Sequence, residues 1–171
     1  MDKPTYIAGI LIVNKDIALP KEYNPGLNKK MMLSYYCMKL CALIDGVKLK
    51  IVSGFRSYDY QEKVYYDYVK DFGKKKADTF SAMPGHSEHQ SGLALDICED
   101  SDKFINTKED IWLQTNAYKF GFIIRYPMGK EHITGYKYEP WHIRYVGTKN
   151  ARRIYSKKLS LEEYLGLWPK S

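Results

Sequence analysis

Four histidines are spread over 171 residues, and three of them fall in two short segments rich in acidic, small and proline residues. One segment reads Pro84-Gly85-His86-Ser87-Glu88-His89-Gln90-Ser91-Gly92-Leu93-Ala94-Leu95-Asp96; the other reads Tyr138-Glu139-Pro140-Trp141-His142-Ile143-Arg144-Tyr145. Two imidazoles and one carboxylate make a common three-ligand set for catalytic zinc, with the fourth position left to a water whose pKa falls to about 7. A second carboxylate nearby then serves as base rather than ligand. His89, Asp96 and His142 with Glu139 offer that arrangement, although two separated histidines and an aspartate are often no more than surface or satisfied core groups.

The elements that must position these side chains can be read around them. Leu93 to Ile97 alternates as a strand, so Leu93, Leu95 and Ile97 share one face and leave Ala94 and Asp96 on the other. Gly92 permits a turn that brings His89 back toward Asp96, and Ala94 is small enough to leave room for an ion. In the second segment Pro140 excludes a helix interior, and residues three apart on a flat strand point opposite ways. Glu139 and His142 therefore converge only if the backbone bends or bulges at Pro140-Trp141. Lys48 to Ser53 reads as a strand broken by Gly54, and Ser57 caps a helix from Tyr58 to Phe72 that ends at Gly73, which delivers Arg56 at a strand-to-helix turn.

The rest of the chain supplies the frame. Tyr6 to Val13 reads as one buried strand, followed by a polar, proline-bearing connection from Asn14 to Pro25. Leu33, Cys37, Leu40, Cys41 and Ile44 recur at helical spacing until Asp45-Gly46, which predicts a long helix with this stripe, and both cysteines, on its buried face. Lys74 to Gly85 reads as irregular. Thr107 and Asp110 resemble a capping box for a helix over Lys108 to Phe120, Phe122 to Tyr126 and Tyr136 to Val146 read as strands, and Ser160 with Glu163 forms a clearer capping box in a helical tail. Helices and strands mix without regular alternation, which predicts an α+β fold: one domain over 1–171, with a small antiparallel sheet flanked by helices.

Composition excludes several classes. At 44% hydrophobic and 27% charged residues the chain is an ordinary folded globule, which rules out collagenous or broadly disordered architectures. A net charge of +7 suits an anionic partner, but no nucleic-acid recognition signature accompanies it. Three cysteines without repeated spacing suggest reduced core thiols rather than a disulfide framework. No apolar run is long enough for a membrane span and the start lacks a signal pattern, so the expectation is a cytoplasmic protein, or one at the extracytoplasmic cell surface if a signal or anchor precedes this sequence. No long exposed apolar repeat asks for a partner, so a monomer is expected.

Taken together, the motifs are specific. Ser87, His89, Gly92, Ala94 and Asp96 fill the pattern Ser-x-His-x-x-Gly-x-Ala-x-Asp, and Glu139-Pro140-Trp141-His142 follows some 40 residues later. This resembles the zinc D-Ala-D-Ala carboxypeptidases of the VanY type and their bifunctional VanXY relatives. The block Ser53-Gly54-Phe55-Arg56-Ser57-Tyr58-Asp59-Tyr60-Gln61 and the opening Leu11-Ile12-Val13-Asn14-Lys15 are similar to the same family, so the likeness runs from about residue 11 to 165. Met83 and Asp16 depart from it, standing where arginine and histidine are frequent.

The resemblance implies a D,D-peptidase/hedgehog-like fold and one zinc ion held by His89, Asp96 and His142. It implies Glu139 as catalytic base, Arg56 as the stabiliser of the substrate carbonyl and its tetrahedral intermediate, and Ser87 and Gln61 as residues near the terminal D-alanine. The implied reaction is removal of the last D-alanine from peptidoglycan stem pentapeptides or their nucleotide-linked precursors. Alternatives are a bifunctional dipeptidase/carboxypeptidase, an L,D-carboxypeptidase acting on tetrapeptides, and a zinc-containing binding module; retention of Glu139 and Arg56 argues against the last. His86 reads as a loop residue behind the ligands, His132 as a solvated turn, and Trp141 as packing beside the metal.

Overall fold

A computed structural model describes residues 3–98 and 101–169. A two-stranded ribbon, β1 (Tyr6–Ile7) and β2 (Ile10–Leu11), leads to α1 (Lys29–Ile44), β3 (Ile51–Ser53), α2 (Tyr58–Phe72) and a single turn, α3 (Lys74–Ala77). Then come β4 (Ala94–Ile97), α4 (Lys108–Asn116), β5 (Phe122–Tyr126), a second single turn α5 (Glu131–Thr134), β6 (Glu139–Tyr145), α6 (Thr148–Lys157) and α7 (Leu161–Tyr164). Strands β3, β4, β6 and β5 form, in that order, one antiparallel sheet. The expected α+β class with a small antiparallel sheet flanked by helices is what the chain builds.

The sheet has an oily face and a charged one. Leu95, Ile97, Phe122 and Ile143 pack with Met31, Tyr35, Met38 and Ala42 of α1 and with Trp112 and Leu113 of α4. The alternate residues Asp96, His142, Arg144 and Arg125 are also buried. Strand alternation thus puts a core on one side of the sheet and the chemistry-bearing groups on the other.

Several boundaries and one face differ from the sequence reading. Tyr6 to Val13 is not one strand: Ala8 and Gly9 both take positive φ, 50° and 76°, making the tight reversal between β1 and β2. The unbroken apolar run concealed a turn for which only Gly9 was a signal. On α1 the stripe Leu33, Leu40 and Ile44 is 66%, 63% and 84% exposed, and Cys37 and Cys41 are exposed with it. The helix is apolar on nearly all sides, so a second stripe, Met31, Tyr35, Met38 and Ala42, has equally good spacing. The Tyr35 hydroxyl, donating to the Leu49 carbonyl at 3.2 Å, ties that second face inward. The cysteines are therefore not core thiols; Cys98 is half-buried.

Smaller differences follow from local bonding. The strand expected over Lys48 to Ser53 is confined to β3, and that over Tyr136 to Val146 to β6. The helix expected to reach Phe120 narrows to a 3₁₀ turn at Ala117–Phe120. Thr107 caps α4 by accepting from the Asp110 N–H at 3.2 Å, but the Asp110 carboxylate accepts from Asn106, not Thr107, so the capping box is one-sided. The box at Ser160 and Glu163 is complete.

Gly92 sits at φ +68°, and a Cβ there would lie 2.0 Å from the Gly26 carbonyl oxygen. Both the backbone conformation and the close approach demand glycine. Gly92→Ala should therefore destabilise the fold by at least about 2 kcal/mol, read as a lower midpoint in chemical denaturation; an unchanged midpoint would show that the Gly26 loop gives way freely.

Candidate metal centre

Asp96 and His142 are direct cross-strand partners in the β4–β6 ladder, which carries them to the same face by register alone. His89 arrives from a 3₁₀ turn, Glu88–Ser91, closed by Gly92 in the left-handed conformation. His89 Nε2 lies 3.1 Å from Asp96 Oδ2, and His142 Nδ1 lies 3.1 Å from Asp96 Oδ1. The two rings stand edge to face, 4.9 Å apart. One ligand atom from each residue falls within 4.8 Å of the others, and all three residues are buried.

The donor set fits a divalent cation. His89 Nδ1 is 2.6 Å from the Gly54 carbonyl, which only accepts, so the proton belongs on Nδ1 and the lone pair of Nε2 faces Asp96. Asp96 Oδ1 is buried against His142 Nδ1 and, when that ring is neutral with Nδ1 bare, receives no hydrogen bond from the described residues, a costly state that a cation relieves. Burial opposes ionisation of Asp96, yet His89 and His142 hold its carboxyl well below the usual range. In the metal-free protein, burial acts against the charged form of His142, but Asp96 and Glu88 hold the ring up at about 9.

Glu139 joins the ligands through the distortion expected at Pro140-Trp141. Ile124 pairs with Ile143 and Tyr126 with Glu139, so a two-residue step on β5 faces a four-residue step on β6. That bulge turns Glu139 onto the cleft lined by His89, Asp96 and His142. Burial pushes its carboxyl up to about 7; His142 pulls the other way, Asp96 adds to the rise, and Lys137 and Arg56 pull it back.

Arg56 follows a second irregularity. Two residues of β3, from Ile51 to Ser53, match a single step on β4, from Ile97 to Asp96. The chain then turns into α2, where Ser57 caps the helix by accepting from Tyr60. The guanidinium donates to Gln61 Oε1 at 2.8 Å and Ser53 Oγ at 3.2 Å, and Gln61 donates in turn to the Ala82 carbonyl at 2.6 Å. Gln61, expected beside the terminal D-alanine, lines the cleft but spends both ends of its amide holding Arg56 in place. Ser87 is buried on the same wall.

All seven residues singled out in the sequence thus line one cleft of about 170 Å³. His86 is a loop pin, its Nδ1 2.8 Å from the Asn14 carbonyl. His132 is exposed and meets only the Trp168 ring among aromatic neighbours of the described residues. Trp141 packs into the main core and also borders the cleft. Sequence reasoning missed Tyr126, whose ring lies 4.9 Å from that of His142, and Tyr136, whose buried hydroxyl has no hydrogen-bond partner among the described residues. It also missed Glu88, 3.4 Å from His142. Glu88 was hidden as a variable position inside the motif, whereas Arg144, two residues from His142 on one strand, had to share the ligand's face.

A buried two-histidine, one-aspartate set with an unliganded carboxylate of raised pKa and a guanidinium in one cleft defines the metallohydrolase class of site. The D-alanyl-D-alanine carboxypeptidase (VanY) family model matches residues 24–148, and the chain belongs to that family. YodJ of Bacillus subtilis (strain 168), which carries a carboxypeptidase name, is 42% identical over 180 residues, covering 91% of this chain and 66% of that protein. The chain spans slightly less than two thirds of the length of two of the curated relatives it matches, 66% and 65%. Among solved structures, the LdcB LD-carboxypeptidase superposes with a TM-score of 0.87 at 38% identity, covering 95% of this chain and 92% of that one. A D,D-pentapeptidase VanY variant from a VanB-type resistance cassette, solved with Zn(II), superposes with a TM-score of 0.81 at 35% identity, covering 91% and 97%.

The Glu139 carboxyl carries a stability signature. Its folded pKa of about 7 stands above the ordinary 4.5, so between these values the unfolded chain ionises while the folded one stays protonated. Stability contributed by the neutral group is full below about 4.5, declines as pH rises and is gone above about 7. In metal-free protein, Glu139→Gln should leave the melting temperature unchanged near pH 4 and raise stability above pH 7 by up to about 3 kcal/mol; equal melting curves at pH 8 would contradict this.

Proposed function

We propose that this chain is a zinc-dependent carboxypeptidase that hydrolyses the terminal D-Ala-D-Ala bond of peptidoglycan stem pentapeptides, free or as nucleotide-linked precursors. The observation that carries the reading is the convergence of His89, Asp96 and His142 with Glu139 and Arg56 on one buried cleft. Zinc, when held by those three ligands, supplies a Lewis acid for the scissile carbonyl and an acidified water. Glu139, poised near neutrality, is suited to accept a proton from a water in the cleft and to return it to the departing amine. Arg56, braced by Gln61 and Ser53, offers N–H donors that need no reorganisation as negative charge develops on the carbonyl oxygen. The excess of basic residues suits anionic wall precursors.

A second reading is removal of D-alanine from stem tetrapeptides, an L,D-carboxypeptidase activity. The higher TM-score and identity to the LdcB LD-carboxypeptidase than to the VanY D,D-pentapeptidase favour it. The two activities differ in what must fit beside the scissile bond.

Mass spectrometry of pentapeptide and tetrapeptide incubated with the pure protein separates them. Loss of one alanine from the pentapeptide, abolished by chelator and restored by zinc, is the expected result; cleavage of the tetrapeptide alone transfers the proposal to the second reading, and cleavage of neither overturns both. Arg56→Ala should lower turnover by about 10²-fold to 10³-fold in a folded protein. Glu139→Ala should keep its zinc and lose nearly all activity, and normal turnover would remove Glu139 from the mechanism.

A further inference from the structure

On the charged face of the sheet, behind the metal ligands, lie four buried charges that the proposed chemistry does not use: Glu88, Arg125, Arg144 and Glu162. Glu88 Oε1 accepts from Arg125 Nε at 2.8 Å and from Arg144 Nη1 at 2.6 Å. Arg125 turns its other two nitrogens to the Glu162 carboxylate at 2.9 and 2.6 Å, and Arg144 reaches the carbonyls of Leu11 and Tyr145. Two carboxylates thus balance two guanidiniums, as buried charges require. Neither arginine is hydrogen-bonded to the second oxygen of Glu88. Oε2 faces His142 Nε2 at 3.4 Å, and among the described residues neither of these buried atoms has any other partner.

A carboxylate held ionised between two guanidiniums can only accept, so the hydrogen between it and His142 must sit on Nε2. A neutral imidazole then carries its lone pair on Nδ1, the atom 3.1 Å from Asp96. His89 is set the opposite way, with Nδ1 against the Gly54 carbonyl. We propose that Glu88, locked by Arg125 and Arg144, is a positioning residue that fixes the tautomer of His142 and so makes Nδ1 its metal-binding atom, while Glu162 secures Arg125 without acting on the ring. This rests on the metal-centre reading given above.

Glu88→Gln tests it sharply. The new amide oxygen is drawn to the two guanidiniums, which turns the amide N–H₂ toward Nε2 and favours the wrong tautomer. Zinc affinity by chelator competition and ¹⁵N NMR of the histidine rings are measured for wild type, Glu88→Gln and Glu162→Gln. Wild type should bind zinc with a slowly exchanging Nε2–H on His142. Glu88→Gln should bind about 10-fold to 100-fold more weakly, with the His142 ring pattern reversed in metal-free protein above about pH 9, where the ring is neutral. Glu162→Gln should lower the melting temperature while keeping wild-type zinc affinity. Wild-type affinity and ring pattern in Glu88→Gln, or a zinc loss in Glu162→Gln equal to that in Glu88→Gln, overturns the proposal and leaves the network a purely structural brace. If Glu88→Gln does not fold, the ring spectrum of zinc-bound wild type decides: Nε2–H supports the proposal and Nδ1–H on His142 overturns it. A wild-type protein that binds no zinc overturns the metal-centre reading itself, a failure distinct from zinc binding that is indifferent to Glu88.

Discussion

The cross-strand pairing of Asp96 with His142 is the contact on which everything else is arranged. It brings a carboxylate and an imidazole together at the centre of a sheet, where neither is tolerable without compensation. Gly92 turns His89 onto the same carboxylate, and a bulge on each flank of the β4–β6 pair adds one further group, Glu139 on one side and Arg56 on the other. Regular strands provide the fixed distances. The irregularities between them aim the reactive side chains, a division of labour common where β-bulges adjoin active sites.

Placing this cluster on one face obliges the other to supply the stability. Leu95, Ile97, Phe122 and Ile143 seal against α1 and α4 with side chains almost fully buried. The polar face cannot be stabilised that way and instead satisfies its groups pairwise: Gln61 with Arg56, Gly54 with His89, Glu88 with two arginines. Asp96 Oδ1 and Glu88 Oε2 flank the two nitrogens of the His142 ring at 3.1 and 3.4 Å, too loosely held for full satisfaction, and there polar satisfaction yields to function.

Much of this was legible in the residues themselves. Type and spacing offered His89, Asp96 and His142 with Glu139, and resemblance to a known family added Arg56, Ser87 and Gln61. The helix α2 with its Ser57 and Gly73 boundaries and the distortion at Pro140-Trp141 rest on local rules that tertiary structure had no reason to override. The inward face of α1 was not legible. Two apolar stripes compete there, and only the packing partners choose between Leu33-Cys37-Leu40-Ile44 and Met31-Tyr35-Met38-Ala42. The role of Glu88 was hidden for a different reason: its arginine partners lie 37 and 56 positions away, beyond any local pattern.

The neutral quartet of Glu88, Arg125, Arg144 and Glu162 also constrains how such a chain can change over evolutionary time. A one-residue replacement that removes a charge strands its opposite in a medium that solvates it poorly, so divergence at these positions favours paired exchange. Glu162 lies outside the stretch that the family model matches, residues 24–148, while Arg125 lies inside it. A homologue that has traded away the tail carboxylate is therefore expected to have traded Arg125 as well, and a splice of one relative's tail onto another's sheet inherits that debt at the join.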